Sequence, residues 1–180
     1  ENVKRLVGHD MGKTFDKILD SLSNLGYWVD YKVLNALDFG LPQKRERVFI
    51  IGLLNPPNSD VFPKGDKKPL PLSQILEQSV SEKYYVSENV RIKRLQKHKP
   101  KNYPSIWHEN KSGNISSYPY SCALRSGASH NYLLVDGRRR LTPREFLRLQ
   151  GFPDWFQIVV SDSQLKKQTG NTIPIPVVES

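Results

Sequence analysis

Pro42-Gln43-Lys44-Arg45-Glu46-Arg47 runs straight into Val48-Phe49-Ile50-Ile51, a cationic cluster at the mouth of an apolar strand. Side chains alternate along a strand, so Arg45 and Arg47 share a face. Two planar guanidinium forks on one face suit phosphates, carboxylates or the carbonyl edge of a base; a solvated basic sheet edge is the plainer alternative. The run after the arginines is apolar on both faces, which predicts a central strand over residues 47–54. Upstream, Phe15, Ile18, Leu19, Leu22 and Leu25 recur at helical spacing and Gly26 follows as a stop, predicting an amphipathic helix over 13–25. Tyr27, Val29, Tyr31 and Val33 alternate as one face of a strand over 27–34. Helix, strand, short loop and strand read as the closing section of an open α/β sheet.

Downstream the pattern changes. Residues 55–83 shift towards Pro, Lys, Ser and Asp, a long excursion away from the sheet. Residues 84–137 read as a separate small lobe with weak periodicity, carrying a basic run from Arg91 to Lys101 and scattered Tyr, Trp and His. Order returns at Leu141-Thr142-Pro143-Arg144-Glu145-Phe146: Thr142 as N-cap, Pro143 at the first helical position, Glu145 closing a capping box, and Leu141 with Phe146 as a hydrophobic staple. Gly151 and Pro153 end that helix. Ser161 and Gln164 suggest a second capping box, for a short helix stopped by Gly170.

The formal charge of +9 favours a polyanionic partner, nucleic acid first and an anionic membrane second. No apolar run is long enough to span a bilayer, and no signal-peptide pattern opens the chain. Cys122 is the lone cysteine, which excludes an internal disulfide and fits a reducing cytosol. His9, His98, His108 and His130 are scattered without metal-ligand spacing, so no metal site is expected. The chain begins Glu1-Asn2-Val3 without an initiator Met, and a piece of a longer protein is expected.

Four blocks occur in order: Glu1-Asn2-Val3; Pro42 to Arg47; Arg139-Arg140-Leu141-Thr142-Pro143-Arg144-Glu145 with Gly151-Phe152-Pro153-Asp154; and Gln168-Thr169-Gly170-Asn171-Thr172. Together they resemble the C-terminal portion of a bacterial DNA cytosine-C5 methyltransferase of the HhaI type. The resemblance implies the end of a Rossmann-like, S-adenosylmethionine-dependent catalytic domain in 1–54, a linker in 55–83, a mostly irregular or β target-recognition lobe in 84–137, and a return segment to the catalytic domain in 138–180. It also implies a bacterial cytoplasmic enzyme, acting in a restriction–modification system. The family's Gly-rich cofactor turn and Pro-Cys nucleophile are not found here; Cys122 stands instead in Ser121-Cys122-Ala123. The expectation is therefore a fragment that is inactive alone and needs the missing N-terminal half of its own enzyme.

The reaction implied is methyl transfer to C5 of a cytosine swung out of the duplex. C5 is a poor nucleophile until a cysteine thiolate adds at C6, and the pocket must then supply donors to N3 and O2. By the resemblance Glu1 reads N3 and the exocyclic amine and must be protonated at least transiently, Arg47 grips O2, Arg45 supports the thiolate and the glutamate, and Gln43 belongs to the same block. Glu1 as a frayed terminus is the plainer alternative. Asn171 and Thr172 resemble residues that close the S-adenosylmethionine site, or Gly170-Asn171 is a helix C-cap, or both.

Duplex DNA is the expected partner. Arg91, Lys93, Arg94 and Lys97 would contact phosphates or simply form a solvated helix face. Arg125, Ser126, His130 and Asn131 are the candidates for reading base edges. Arg138 and Arg139 divide between phosphate contacts and interlobe packing. The family usually has Thr where Ala123 stands, which removes any contact made by that hydroxyl. Two other readings remain open: a non-catalytic DNA-binding module or subunit that needs a partner chain, and an RNA methyltransferase of the same superfamily. The exposed edge of an incomplete sheet is also a route to self-association.

Overall fold

The computed structural model describes residues 1–129 and 131–180. The first 53 residues build a three-stranded antiparallel sheet. Strands β1 (Asn2–Val3) and β2 (Trp28–Asn35) flank β4 (Glu46–Leu53), with α1 (Lys13–Asn24) between β1 and β2 in the chain. β4 is the central strand its apolar run predicts, and Val48 in it is fully buried. α1 ends where Gly26 turns through a positive φ of 88°. Its Phe15 is buried and meets Tyr31 edge to face at 4.7 Å, while Leu25 lies past the helix end and is exposed. Between the strands, the Asn35 side chain accepts from both Leu37 N and Arg45 N, which folds residues 36–45 back towards the sheet.

The middle of the chain holds more order than its periodicity reveals. The long excursion passes through a single turn of helix, α2 (Leu72–Ile75), and the basic run begins in α3 (Glu88–Lys97), with Lys99 and Lys101 beyond its end. A second antiparallel sheet follows, in the order β6 (Ile115–Tyr118), β5 (Ile106–Glu109), β8 (Leu133–Val135), β9 (Arg139–Arg140). Its last strand lies beyond residue 137, so the lobe's sheet continues into the return segment. Two further short strands, β3 (Gln43–Lys44) and β7 (Ser121–Cys122), pair in parallel and tie the lobe to the cationic block.

The return segment packs into the lobe. α4 (Pro143–Leu149) has the predicted capping box: Glu145 N donates to the Thr142 hydroxyl at 3.2 Å and Thr142 N to the Glu145 carboxylate at 2.9 Å. Leu141, Phe146 and Leu149 share one core with Ile106, Leu124, Leu133 and Val135 of the lobe and with Leu72 and Ile75. A second, smaller core joins Leu34, Phe39 and Phe62 to Val177 of α6 (Ile175–Val178). α5 (Asp162–Asn171) is capped by Ser161 through Gln164 N. Gly170 does not stop it: the helix runs through to Asn171, and Gly170 keeps an ordinary negative φ.

A candidate base-binding cavity

Arg45 and Arg47 do share one space. A cavity of about 440 Å³ is lined by Glu1, by Asn2 and Val3 of β1, by Arg45 and Arg47, by residues 124–128 of the lobe, and by Gly170 and Asn171 at the end of α5. Pairing fixes this geometry, since Val3 sits opposite Arg47 in the register of β1 with β4. Glu1 is not frayed. Its carboxylate lies 3.0 Å from Arg47 Nε, and the two side chains are only 14 % and 15 % exposed. A second Arg47 nitrogen donates to Glu46 O at 2.8 Å.

Arg45 is 2 % exposed and acts as a clasp. Nη1 donates to Leu124 O at 3.0 Å, and Nη2 to Gly170 O at 3.2 Å and Thr172 O at 2.9 Å. Burial, reinforced by the neighbouring Arg47 charge and opposed by Glu1, lowers its pKa to about 10, still far above neutrality. It therefore remains a cation whose hydrogen-bonding arms draw the segment at Leu124 and the end of α5 onto the sheet. Gln43 lies outside the cavity. Fully buried, it donates to Leu149 O at 2.8 Å and accepts from Leu124 N at 3.1 Å, which makes it a joint between β3, α4 and the lobe.

A cavity with a carboxylate held on a guanidinium, walled by residues 124–128, has donors and acceptors on one side that suit a planar polar group. The model for C-5 cytosine-specific DNA methylases matches residues 1–180. This chain belongs to the C-5 cytosine-specific DNA methylase family. It is 53% identical over 187 residues to the Type II methyltransferase M.NgoBI of Neisseria gonorrhoeae and 54% identical over 183 residues to M.HaeII of Haemophilus aegyptius. In both comparisons all of this chain is covered and 57% of the relative, so the chain spans little more than half their length. Among solved structures, a DNMT2 mutant of Spodoptera frugiperda superposes with a TM-score of 0.69 at 18% identity, covering 98% of this chain and 62% of that one; the likeness is one of fold.

Within this methylase fold the remaining candidates separate sharply. Arg125 is exposed at the cavity wall with its guanidinium 5.0 Å from the centre of the Tyr132 ring, and Ser126 lines the same wall. Asn131 lies elsewhere, in a groove with Lys93, Arg94, Lys97 and Glu109. His130 lies outside the described residues. Arg94 is no free phosphate ligand: only 5 % exposed, it binds Glu109 at 2.5 Å and Asn131 O at 2.8 Å. Arg91 is paired with Glu88 one turn away, whereas Lys93 and Lys97 are exposed. Arg138 is exposed, but Arg139 is buried in a bidentate pair with the fully buried Glu145, at 2.8 and 2.7 Å. A buried cation paired this way serves the interlobe core, not a phosphate.

Asn171 is exposed at the cavity, while Thr172 is occupied: its hydroxyl donates to Gln168 O and its carbonyl accepts from Arg45. Cys122 does not line the cavity, and burial pushes its thiol up, away from thiolate character. Among the described residues no cluster could hold a metal ion, and no helix is long and apolar enough to cross a membrane.

Sequence reading missed the parts played by Gly170, which lines the cavity, and by Lys166, which lies outside the lining and holds the backbone of residues 128 and 129. Lys166 is buried and donates to Ala128 O at 2.6 Å and Ser129 O at 3.1 Å. A Cβ on Gly170 would lie 2.3 Å from Ser126 N, so only glycine allows α5 to approach the segment. A glycine inside a helical stretch, just before a polar turn, was the one available signal.

Proposed function

We propose that this chain supplies the polar wall of a DNA cytosine-C5 methyltransferase of the restriction–modification type. The enzyme would act on a cytosine extruded from duplex DNA, and the observation that carries the reading is the Glu1–Arg47 pair inside the shared cavity. Cytosine presents an acceptor at O2, an acceptor at N3 and a donor amine on one edge. Arg47, with Nε on Glu1 and Nη1 on Glu46 O, offers its remaining guanidinium N–H groups to O2, and Glu1 faces the N3 and amine edge. As an adding thiolate drives charge onto N3 and O2, Arg47 sits ready to stabilise it without reorganisation. That thiolate comes from the part of the enzyme beyond these residues, because Cys122 stands outside the cavity with a raised pKa.

S-Adenosylmethionine supplies the methyl group. Of the two residues resembling its ligands, Asn171 fits, with an amide at the cavity rim; Thr172 does not, since its hydroxyl and carbonyl are engaged within the chain. The chain alone is then inactive, and the rest of the enzyme completes the site. Open edges at β1 and β2 offer places for that remainder, or for a second copy, to pair.

Arg47→Ala in the full-length enzyme tests the reading. Binding to duplex should persist, while the methylation rate should fall by roughly 10²–10³, the usual loss when one donor to a developing anion is removed. An unchanged turnover rate would refute the role given to Arg47.

A further inference from the structure

The segment 124–129 has no regular secondary structure, yet its backbone is held at both ends, at residues 124–125 and 128–129. Arg45 and Gln43 take both backbone groups of Leu124. Beyond that point the hold passes to two residues outside the segment, Tyr132 and Lys166. The Tyr132 hydroxyl accepts from Arg125 N at 3.0 Å, and its ring lies 5.0 Å beneath the Arg125 guanidinium. Lys166 in α5 reaches the carbonyls of Ala128 and Ser129, with its ammonium 5.5 Å from the centre of the same ring.

Resting on the function proposed above, we infer that Tyr132 and Lys166 are positioning residues that set DNA sequence discrimination by fixing how Arg125 and Ser126 are presented beside the cavity. Tyr132 ties the backbone of Arg125 and supports its side chain at once. A guanidinium stacked on a ring loses much of its freedom before it meets DNA, so less is lost when it forms paired hydrogen bonds to a base edge. Lys166 anchors the far end of the segment, which stops Arg125 and Ser126 from drifting with a loop that has no ladder of its own. Burial pushes the Tyr132 phenol to about 12, so its oxygen keeps its proton at neutral pH and its part is positional rather than acid–base.

The experiment compares the full-length enzyme with Tyr132→Phe, Lys166→Met and Lys166→Arg. Methylation of the preferred duplex, mapped first with the parent enzyme, is measured against duplexes altered by one base pair. Competition binding of the same duplexes gives the discrimination ratio without chemistry. Tyr132→Phe keeps the ring and removes the hydroxyl, and Lys166→Met keeps the stem and removes the charge. Each should lower the ratio by roughly tenfold, the scale of one bidentate base contact, with kcat on saturating preferred duplex little changed. Lys166→Arg should recover most of the ratio. A uniform loss on all duplexes, or an unchanged ratio in both Tyr132→Phe and Lys166→Met, overturns the assignment. If the parent binds selectively but methylates no cytosine, the proposed function fails while the binding ratios still decide the role of these two residues.

Discussion

The cavity wall and helix α3 are both rich in cations, yet they use charge in opposite ways. At the wall, Arg45 joins carbonyls 79 to 127 residues away in the chain, and little of its charge faces solvent. On α3, Lys93 and Lys97 project into water, while Arg94 in the same helix turns inward to Glu109 and Asn131. The comparison teaches that the net positive charge is divided between buried cations that tie the fold together and exposed ones that do not. Arg45, Arg94 and Arg139 are buried where carbonyls and carboxylates converge, whereas Arg125 and Arg138 stay outside with most of the ammonium groups, where a polyanion can reach them. Lys166 is the exception, and it is also the lysine that holds a loop.

The sharpest way to break that division is to remove an inward cation. Arg139→Ala leaves Glu145, which is fully buried, without its bidentate partner; Thr142 N and Glu77 N are the donors that remain. Breaking one side of a buried pair costs roughly 3–5 kcal/mol. Urea denaturation of the full-length protein should show a loss of that size, and DNA binding should fail only as far as folding does. A variant of native stability with a weakened salt response would move Arg139 into the outward group.

Gly170→Ala probes the same wall from the other side. The added Cβ would meet Ser126 N at 2.3 Å and Arg125 C at 2.7 Å, both backbone atoms that cannot swing aside. Overpacking of this kind costs roughly 1–3 kcal/mol, and the displaced segment should blunt activity more than stability. Wild-type turnover together with a wild-type midpoint would show that the segment has slack.

How far all this is legible in a sequence depends on the range of the interaction. The elements α1, β2 and β4, the capping box at Thr142 and the shared cavity of Glu1, Arg45 and Arg47 follow from local periodicity, from caps, or from an ordered set of motifs. The lobe's strands are short, two to four residues, and carry no period long enough to read. The burial of Arg94 and Arg139 was not legible either, because each is decided by a carboxylate whose position depends on the finished fold. Gln43 stood inside the motif block, but its neighbours Leu149 and Leu124 are distant in the chain, so its use as a joint could not be read locally. Gly170 was read as a stop because a helical glycine near a polar turn usually is one; close packing against Ser126 is the competing cause that prevails.

The mildest change to the fold tests the outward group. Lys93→Ala and Lys97→Ala remove exposed ammonium groups from α3, and neither makes an ion pair among the described residues. Surface substitutions of this kind move stability by no more than about 0.5 kcal/mol. If both lysines face phosphates, the slope of log affinity against log salt should become shallower by roughly 0.9 for each lysine removed. The loss should be the same on preferred and altered duplexes, because phosphate contacts carry no sequence. Titration of duplex binding at several salt concentrations reads both quantities. Arg94→Ala serves as the matched control: it should lower stability through Glu109 and Asn131 and leave the salt slope where it was. A slope that responds to Arg94 but not to the lysines would reverse the division between inward and outward charge on this helix.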